Sequence, residues 1–266
     1  MTGGSDRPDG RVWEAPPPSW RGHPGGETAR HALNVELIGP AGAGKTSVLR
    51  EIGRRDATVE PWQRFEKWLR HAPAITRDAL ALAPTALELL RRHPRASRLC
   101  LQHLLRLRRF QAILVSPTMP PTRARLLGEG PVYSLCRLHL ACTAMPVPDP
   151  LTEIWRATLA EWPGALDVVI SLDAPDDVLA QRIRLRSKSH EVKHGTDREV
   201  YAFLQRYRDS YREVLARLSA LGPVHVMAID TAKTSIDEAA GSVLGIVEQL
   251  RATVRPGGNP ASCQTE

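Results

Sequence analysis

The chain has 266 residues, with 36 lysines and arginines against 29 aspartates and glutamates, a net charge of +7, and 42% hydrophobic residues. That hydrophobic share supports a packed core and excludes a wholly disordered chain, and the length suits one large domain or two small ones. Four cysteines without close pairing exclude a disulfide scaffold and a zinc ribbon, and no apolar run reaches the ~18–20 residues that span a bilayer, so an intracellular, cytoplasmic protein with no membrane partner is expected.

Residues 1–30 are rich in Gly, Pro, Ser and charge, with no apolar stretch of the signal-peptide kind. They and residues 252–266 read as disordered tails around one domain at 31–251. Leu33–Ile38 is an apolar run of strand formers that ends at a glycine-rich turn, and a helix is expected from Lys45 to about Arg55. Residues 57–60 form a short second strand that Pro61 terminates by breaking backbone pairing. Trp62, Phe65, Glu66 and Leu69, at i, i+3, i+4 and i+7, predict a helix over 62–71. Further helices are expected at about 75–92 and 96–115.

Residues 123–127 give a third strand, which runs into Gly128-Glu129-Gly130-Pro131. Helices follow at about 132–144 and 151–161. Asp167–Leu172 is the clearest strand. The helix after it, 175–186, opens with Asp173 as N-cap and with the acidic Asp176 and Asp177. The pattern closes with a helix at 197–220, a fifth strand at 224–229 and a helix at 236–251. Cys100, Cys136 and Cys142 fall on helices and read as buried packing, while Cys263 lies in the C-terminal tail. Strands alternating with helices imply a parallel α/β sheet.

Gly39-Pro40-Ala41-Gly42-Ala43-Gly44-Lys45-Thr46 fits G-x-x-x-x-G-K-[ST], with a strand before it and a helix after it. Glycines let the backbone turn tightly so that successive N–H groups point at phosphate oxygens. The helix that starts near Lys45 adds its positive dipole end, and the segment from Gly39 through Ser47 is expected to bind the nucleotide. Lys45 is suited to β- and γ-phosphates and the Thr46 hydroxyl to Mg²⁺. Lysine is scarce here, five against 31 arginines, which sets Lys45 apart. A pI near 9.6 suits nucleic acid or phosphorylated small molecules alike. With no aromatic-plus-basic RNA motif and no zinc-finger spacing, a nucleic-acid partner is not expected.

Four further signals bear on what is done with the nucleotide. Glu60, placed at the end of the second strand, would lie beside the γ-phosphate and accept a proton from an acceptor hydroxyl. Trp62 and Phe65, with Trp68, would wall an acceptor pocket, or simply pack an amphipathic helix inward with Glu60 on the surface. Glu129, after the third strand, can hold Mg²⁺, or is a solvent-facing turn residue. Arg182, Arg184, Arg186 and Lys188 can close over a transferring phosphoryl group, with 184–197 as a lid that excludes water. Cations at a helix C-terminus are also favoured by the dipole alone. Ile229, Asp230 and Thr231 close the last strand, and the loop that follows either contacts the adenine or is an ordinary strand-ending Asp turn.

Together these pieces resemble the P-loop kinases of nucleosides and nucleoside monophosphates, especially the deoxynucleoside kinase and thymidylate kinase group, over about residues 34–250. Glu60-Pro61 is similar to the Glu-Pro of deoxynucleoside kinases, whose Glu is the catalytic base. Leu172-Asp173-Ala174-Pro175 through Ala180-Gln181-Arg182-Ile183, then Arg186, is similar to the segment before and within the lid. Tyr207, Arg208, Tyr211 and Arg212 are similar to the helix after it. The family's acidic residue after the third strand is followed by arginine, whereas Glu129 is followed by Gly130-Pro131, and Arg123, Arg125 or Arg137 stand as substitutes.

The resemblance implies a five-stranded parallel sheet in the order 2-3-1-4-5 flanked by helices. It implies Mg²⁺ and ATP as cofactors and phosphoryl transfer to a nucleoside or nucleoside monophosphate. In that scheme Lys45, Glu60, Arg182 and Arg186 are catalytic, Thr46 and Glu129 organise Mg²⁺, and Arg77 binds the acceptor's phosphate or hydroxyl. The alternatives are a kinase of a non-nucleotide small molecule, such as an antibiotic or natural product, and a P-loop regulatory ATPase or nucleotide switch. A homodimer is open.

Overall fold

The computed structural model describes residues 32–62, 87, 91, 94–114, 120, 123–143, 150–160, 162, 165–222 and 224–254. Strand β1 (Leu33–Ile38) is buried along its whole length. It is the middle strand of a parallel sheet with β2 (Val59–Trp62), β3 (Ala124–Leu127), β4 (Val168–Asp173) and β5 (His225–Asp230), in the order β2-β3-β1-β4-β5. The expected α/β class and strand order therefore hold. The described helices are α1 (Lys45–Arg55), α2 (Pro94–Leu114), α3 (Pro131–Thr143), α4 (Pro150–Leu159), α5 (Asp176–Leu185), α6 (Asp197–Leu221) and α7 (Ile236–Val254). α1 packs against α7 and β2, α3 packs with α2, α4 and α6, and both α3 and α7 touch β1. Ligands of such a sheet gather where the strands end, and the β1–α1 loop opens there.

The core is aliphatic. Leu37, Ile38, Leu126, Leu127, Ile170 and Leu172 are all at 1% exposure or less, and each contributes about 1.5–3 kcal/mol by leaving water. Cys100 and Cys136 are buried free thiols, as expected. α6 starts at a capping box in which the Thr196 hydroxyl accepts from the Glu199 N–H and the Glu199 carboxylate accepts from the Thr196 N–H, satisfying two amides that a helix start leaves open. Ser235 and Glu238 do the same for α7.

Four expectations need correction. Pro61 does not end β2: it pairs opposite Leu126, and Trp62 pairs opposite Leu127. β2 is an edge strand, so proline's missing N–H can face away from the sheet. Trp62 is thus in a strand and starts no helix. The remainder of the 62–71 helix, with Phe65 and Trp68, lies outside the described residues, as do Arg77, most of 75–92 and both outer tail segments.

Glu60, expected at the strand end, is interior to β2, opposite Arg125, which is itself opposite Asn34. Asp173 does not cap α5. Its N-cap is Pro175, with no side-chain cap bond. Asp173 instead accepts two hydrogen bonds from Arg208 of α6, at 2.8 and 3.0 Å, and one from the Ala174 N–H at 2.8 Å. A guanidinium offers a carboxylate a stronger, charge-assisted partner than a helix N–H does.

Candidate active site

The β1–α1 loop is built on backbone that only glycine adopts readily. Gly39, Gly42 and Gly44 have φ of +137°, +85° and +83°. A Cβ at Gly39 would lie 2.0 Å from the Leu172 carbonyl oxygen, and one at Gly42 would lie 2.9 Å from that of Leu179. The loop is thus pressed against β4 and α5. The Lys45 ammonium curls back and donates to the carbonyls of Gly39 and Pro40 at 2.6 and 2.9 Å. Burial lowers its pKa from 10.5 to about 8; Glu129 opposes this shift and Arg186 adds to it.

A cavity of about 910 Å³ opens over this loop. At one end are Gly42, Lys45, Thr46 and Ser47, with Thr231 and Thr234 after β5. Arg182 ties that end together. It donates to the Thr231 hydroxyl (2.9 Å), the Thr231 carbonyl (2.8 Å) and, more weakly, the Gly42 carbonyl (3.4 Å). Its guanidinium is held across the loop and the β5–α7 turn. Asp230 makes an ordinary turn, accepting from the Ala232 N–H, while Thr231 is the residue that reaches the cavity.

Between α5 and α6, Arg186, Lys188 and His190 line the cavity. Lys193 donates to the Arg186 carbonyl at 2.5 Å, tying the connection to itself. Arg184 is not among the lining residues and pairs with Asp197 at 2.5 Å.

The other end of the cavity has two walls. On α6, Phe203, Tyr207 and Tyr211 recur at i, i+4 and i+8, with ring centroids 4.6 and 6.4 Å apart, and His190 meets Phe203 edge-on at 5.2 Å. Burial pushes the Tyr211 phenol well above its usual pKa, so it stays neutral. Arg137 is bonded to the Tyr207 hydroxyl. Facing them are Phe110, Tyr133, Gly128 and Glu129, with Arg106 and Arg109. Arg106 donates to the Glu129 carbonyl at 2.9 Å and to its carboxylate at 3.3 Å, and its guanidinium lies 5.7 Å from the centre of the Tyr133 ring.

The segment that carries Glu129 is fixed from beneath by Glu36 of β1. Its fully buried carboxylate accepts from the N–H groups of Val132 (2.8 Å) and Tyr133 (2.9 Å) at the start of α3. This is the favourable end of the helix dipole for an anion. Desolvation nonetheless wins, raising the Glu36 pKa from 4.5 to about 7. The same carboxylate explains the glycine after Glu129. A Cβ at Gly130 would lie 2.7 Å from Glu36 Cδ, so no side chain fits there.

Of the residues singled out by sequence, the loop, Glu129, Arg182, Arg186 and Lys188 come together around one cavity. Glu60 does not line it. By register it is level with Asn34, five positions before Gly39 on β1, or roughly 16 Å at about 3.3 Å per residue. Of the substitutes for the missing arginine, Arg125 bonds Asn34 at 3.2 Å, Arg137 bonds Tyr207, and Arg123 is exposed at the start of β3. The guanidinium that reaches Glu129 is Arg106, which sequence reading missed. In an arginine-rich helix its spacing from Arg109 carries no distinctive signal. The α6 aromatic series was visible as an i, i+4 pattern, though not which way it faces.

Among the described residues, no cluster of three His, Cys, Asp or Glu side chains forms a metal centre. The described cavity lining offers the Thr46 hydroxyl at the loop and one carboxylate, Glu129. Those hard oxygen donors fit Mg²⁺, which is usually held by few protein ligands together with phosphate oxygens and water. No described helix is long and apolar enough to cross a membrane.

No family model and no curated protein sequence matches the chain. Among solved structures it is similar to deoxyadenosine kinase from M. mycoides with bound dCTP, at 13% identity and a TM-score of 0.51, over 82% of this chain and 100% of that one. The same kinase with dCMP and a flexible dCDP bound gives 12% identity and a TM-score of 0.50, with the same coverage. The chain therefore has the α/β fold of P-loop kinases.

Proposed function

We propose that the protein is a phosphotransferase that moves the γ-phosphoryl group of Mg·ATP to a hydroxyl of a small molecule, most naturally a nucleoside or nucleoside monophosphate. The observation that carries this reading is the lining of the cavity, which joins the phosphate loop to aromatic and basic side chains of α2, α3 and α6. A kinase uses such a lining to hold an acceptor beside the donor, whereas a nucleotide switch or regulatory ATPase needs only the donor's site. The fold shared with deoxyadenosine kinase supports the same reading.

In this scheme the loop N–H groups and Lys45 hold the β- and γ-phosphates, and Lys45 exchanges its two carbonyl partners for phosphate oxygens. Thr46 and Glu129 would hold Mg²⁺, which would offset the charge of the phosphates. Arg186 and Lys188 neutralise charge on the group in flight, and the 184–197 segment excludes water. Arg182 braces the loop against the β5–α7 turn beside the donor. Phosphoryl transfer relies mainly on positioning and electrostatics, so Glu60, remote by register, is left out of the scheme.

The test is ADP release from Mg·ATP across nucleosides, nucleoside monophosphates and unrelated hydroxyl compounds, with Lys45→Ala as the blank. Acceptor-dependent ADP that falls at least about 10²-fold in Lys45→Ala is the expected result. Slow release indifferent to every acceptor would sink the reading in favour of a switch.

A further inference from the structure

Arg182 lines the cavity beside the phosphate loop, yet its guanidinium is committed to the protein. Two of its three hydrogen bonds end on Thr231, whose hydroxyl accepts at 2.9 Å and whose carbonyl accepts at 2.8 Å. The end of β4 holds Thr231 in turn. Its N–H donates to the Asp173 carbonyl at 2.8 Å, and its hydroxyl donates to the same oxygen at 3.1 Å. A hydroxyl has one proton and two lone pairs. With the proton on Asp173, the lone pairs of Thr231 are left for Arg182. Asp173 is anchored by two bonds from Arg208 of α6, so Thr231 has little freedom to turn.

The third Arg182 bond reaches the Gly42 carbonyl at 3.4 Å, and the side chain also backs onto this residue: a Cβ at Gly42 would lie 3.5 Å from the Arg182 Cβ. A peptide group is planar and trans, so the Gly42 C=O and the Ala43 N–H point in opposite directions. With the carbonyl turned to Arg182, that N–H turns into the loop. There it donates to the Pro40 carbonyl at 3.4 Å, an oxygen that Lys45 holds more closely, at 2.9 Å. A charged phosphate oxygen is a stronger acceptor than a shared carbonyl. We propose that Thr231 is a positioning residue for phosphoryl transfer: by holding Arg182 on the Gly42 carbonyl, it presents the Ala43 N–H to the donor's phosphates. Arg182 thereby acts through the backbone of the loop, and the charge in flight is left to Arg186 and Lys188.

This inference deepens the phosphotransferase reading and rests on it, so the test has two arms. In the first, the full-length protein is titrated with Mg·AMP-PNP and with magnesium tripolyphosphate, which has no nucleoside. Thr231→Val keeps the shape of the side chain and removes the hydroxyl, while Thr231→Ser keeps the hydroxyl. The expected loss in Thr231→Val is roughly tenfold for both ligands, most of it recovered in Thr231→Ser. Arg182→Gln, which cuts the same link from the other side, should give a loss of similar size, and adding Thr231→Val to it should do nothing further. Tripolyphosphate affinity that is absent in the wild type, or unchanged in Thr231→Val, overturns the proposal; a loss for AMP-PNP alone would mean that Thr231 touches the nucleoside directly. A further loss in the double variant overturns it as well.

In the second arm, steady-state rates are measured with an acceptor from the ADP-release panel. Thr231→Val should lower kcat/KM for Mg·ATP by a similar factor and leave the acceptor's KM at saturating ATP unchanged. A rise in the acceptor's KM with Mg·ATP kinetics unchanged refutes the positioning role and leaves the kinase reading standing. Hydroxyl-dependent tripolyphosphate binding with no acceptor phosphorylated does the reverse.

Discussion

Replacing Glu36 by glutamine separates two effects of a buried carboxylate at a helix start. Both Glu36 oxygens accept backbone N–H bonds in the wild type. Glutamine must turn its own amide nitrogen toward one of those donors, a loss of about 1–3 kcal/mol at any pH. The second effect depends on pH. Burial raises the folded-state pKa of Glu36 from 4.5 to about 7. A group raised on folding contributes stability that is complete below its unfolded pKa and disappears as pH rises through the folded one. A difference of about 2.5 pKa units corresponds to about 3 kcal/mol over the full range, most of it lost between pH 5 and 8.

Glutamine has no proton to lose, so Glu36→Gln should gain about 2–3 kcal/mol on the wild type between those two pH values. Urea unfolding of both proteins at pH 5 and pH 8 measures this directly, and the fixed amide penalty cancels in the comparison. A gap between the two proteins that stays constant with pH would refute the reasoning. It would mean that the helix amides keep Glu36 ionised throughout.

Two further predictions concern stability. Gly130→Ala should cost about 1–3 kcal/mol through overpacking against the Glu36 carboxylate, and Glu36→Ala should relieve part of that cost in the double variant. Additive thermal unfolding in the four-protein cycle would show that the two positions do not touch. Arg208→Ala removes the link from α6 to Asp173, Asp176 and the Ala174 carbonyl. It should lower stability by about 2–3 kcal/mol, discounted for partial exposure of the carboxylates, and therefore lower Tm by several degrees. An unchanged Tm would mean that α6 is held by its apolar face alone.

The sheet order and the phosphate loop were readable because both are written locally, in short apolar runs and in glycine spacing. What escaped depended on partners distant in sequence. In β1, Asn34 and Glu36 alternate with apolar residues as though one face met water, yet both are buried. Asn34 is satisfied by Arg125, Asp167 and Ala165, and Glu36 by a helix start almost a hundred residues later. Asp173 had the right type and place for an N-cap, but Arg208 claims it. Pro61 signals a strand end except on an edge strand, and no local pattern marks an edge. Glu60 was misplaced for that same reason. The candidate site was half legible, in that the glycine loop follows a motif, while the aromatic and basic part of the lining is assembled from α2, α3 and α6.

The contact between Glu36 and Gly130 also limits how this sequence can change. A side chain at position 130, including the arginine that related patterns carry after their acidic residue, cannot enter while Glu36 keeps its present position. Loss of Glu36 must come first, and that step strips two amides at the start of α3 of their partner. Any lineage connecting the two arrangements would thus cross a less stable intermediate, or acquire a compensating change elsewhere beforehand. An arginine delivered from α2 reaches Glu129 without that crossing. The two solutions to placing a guanidinium beside one carboxylate are separated by a barrier in sequence space, although they occupy the same fold.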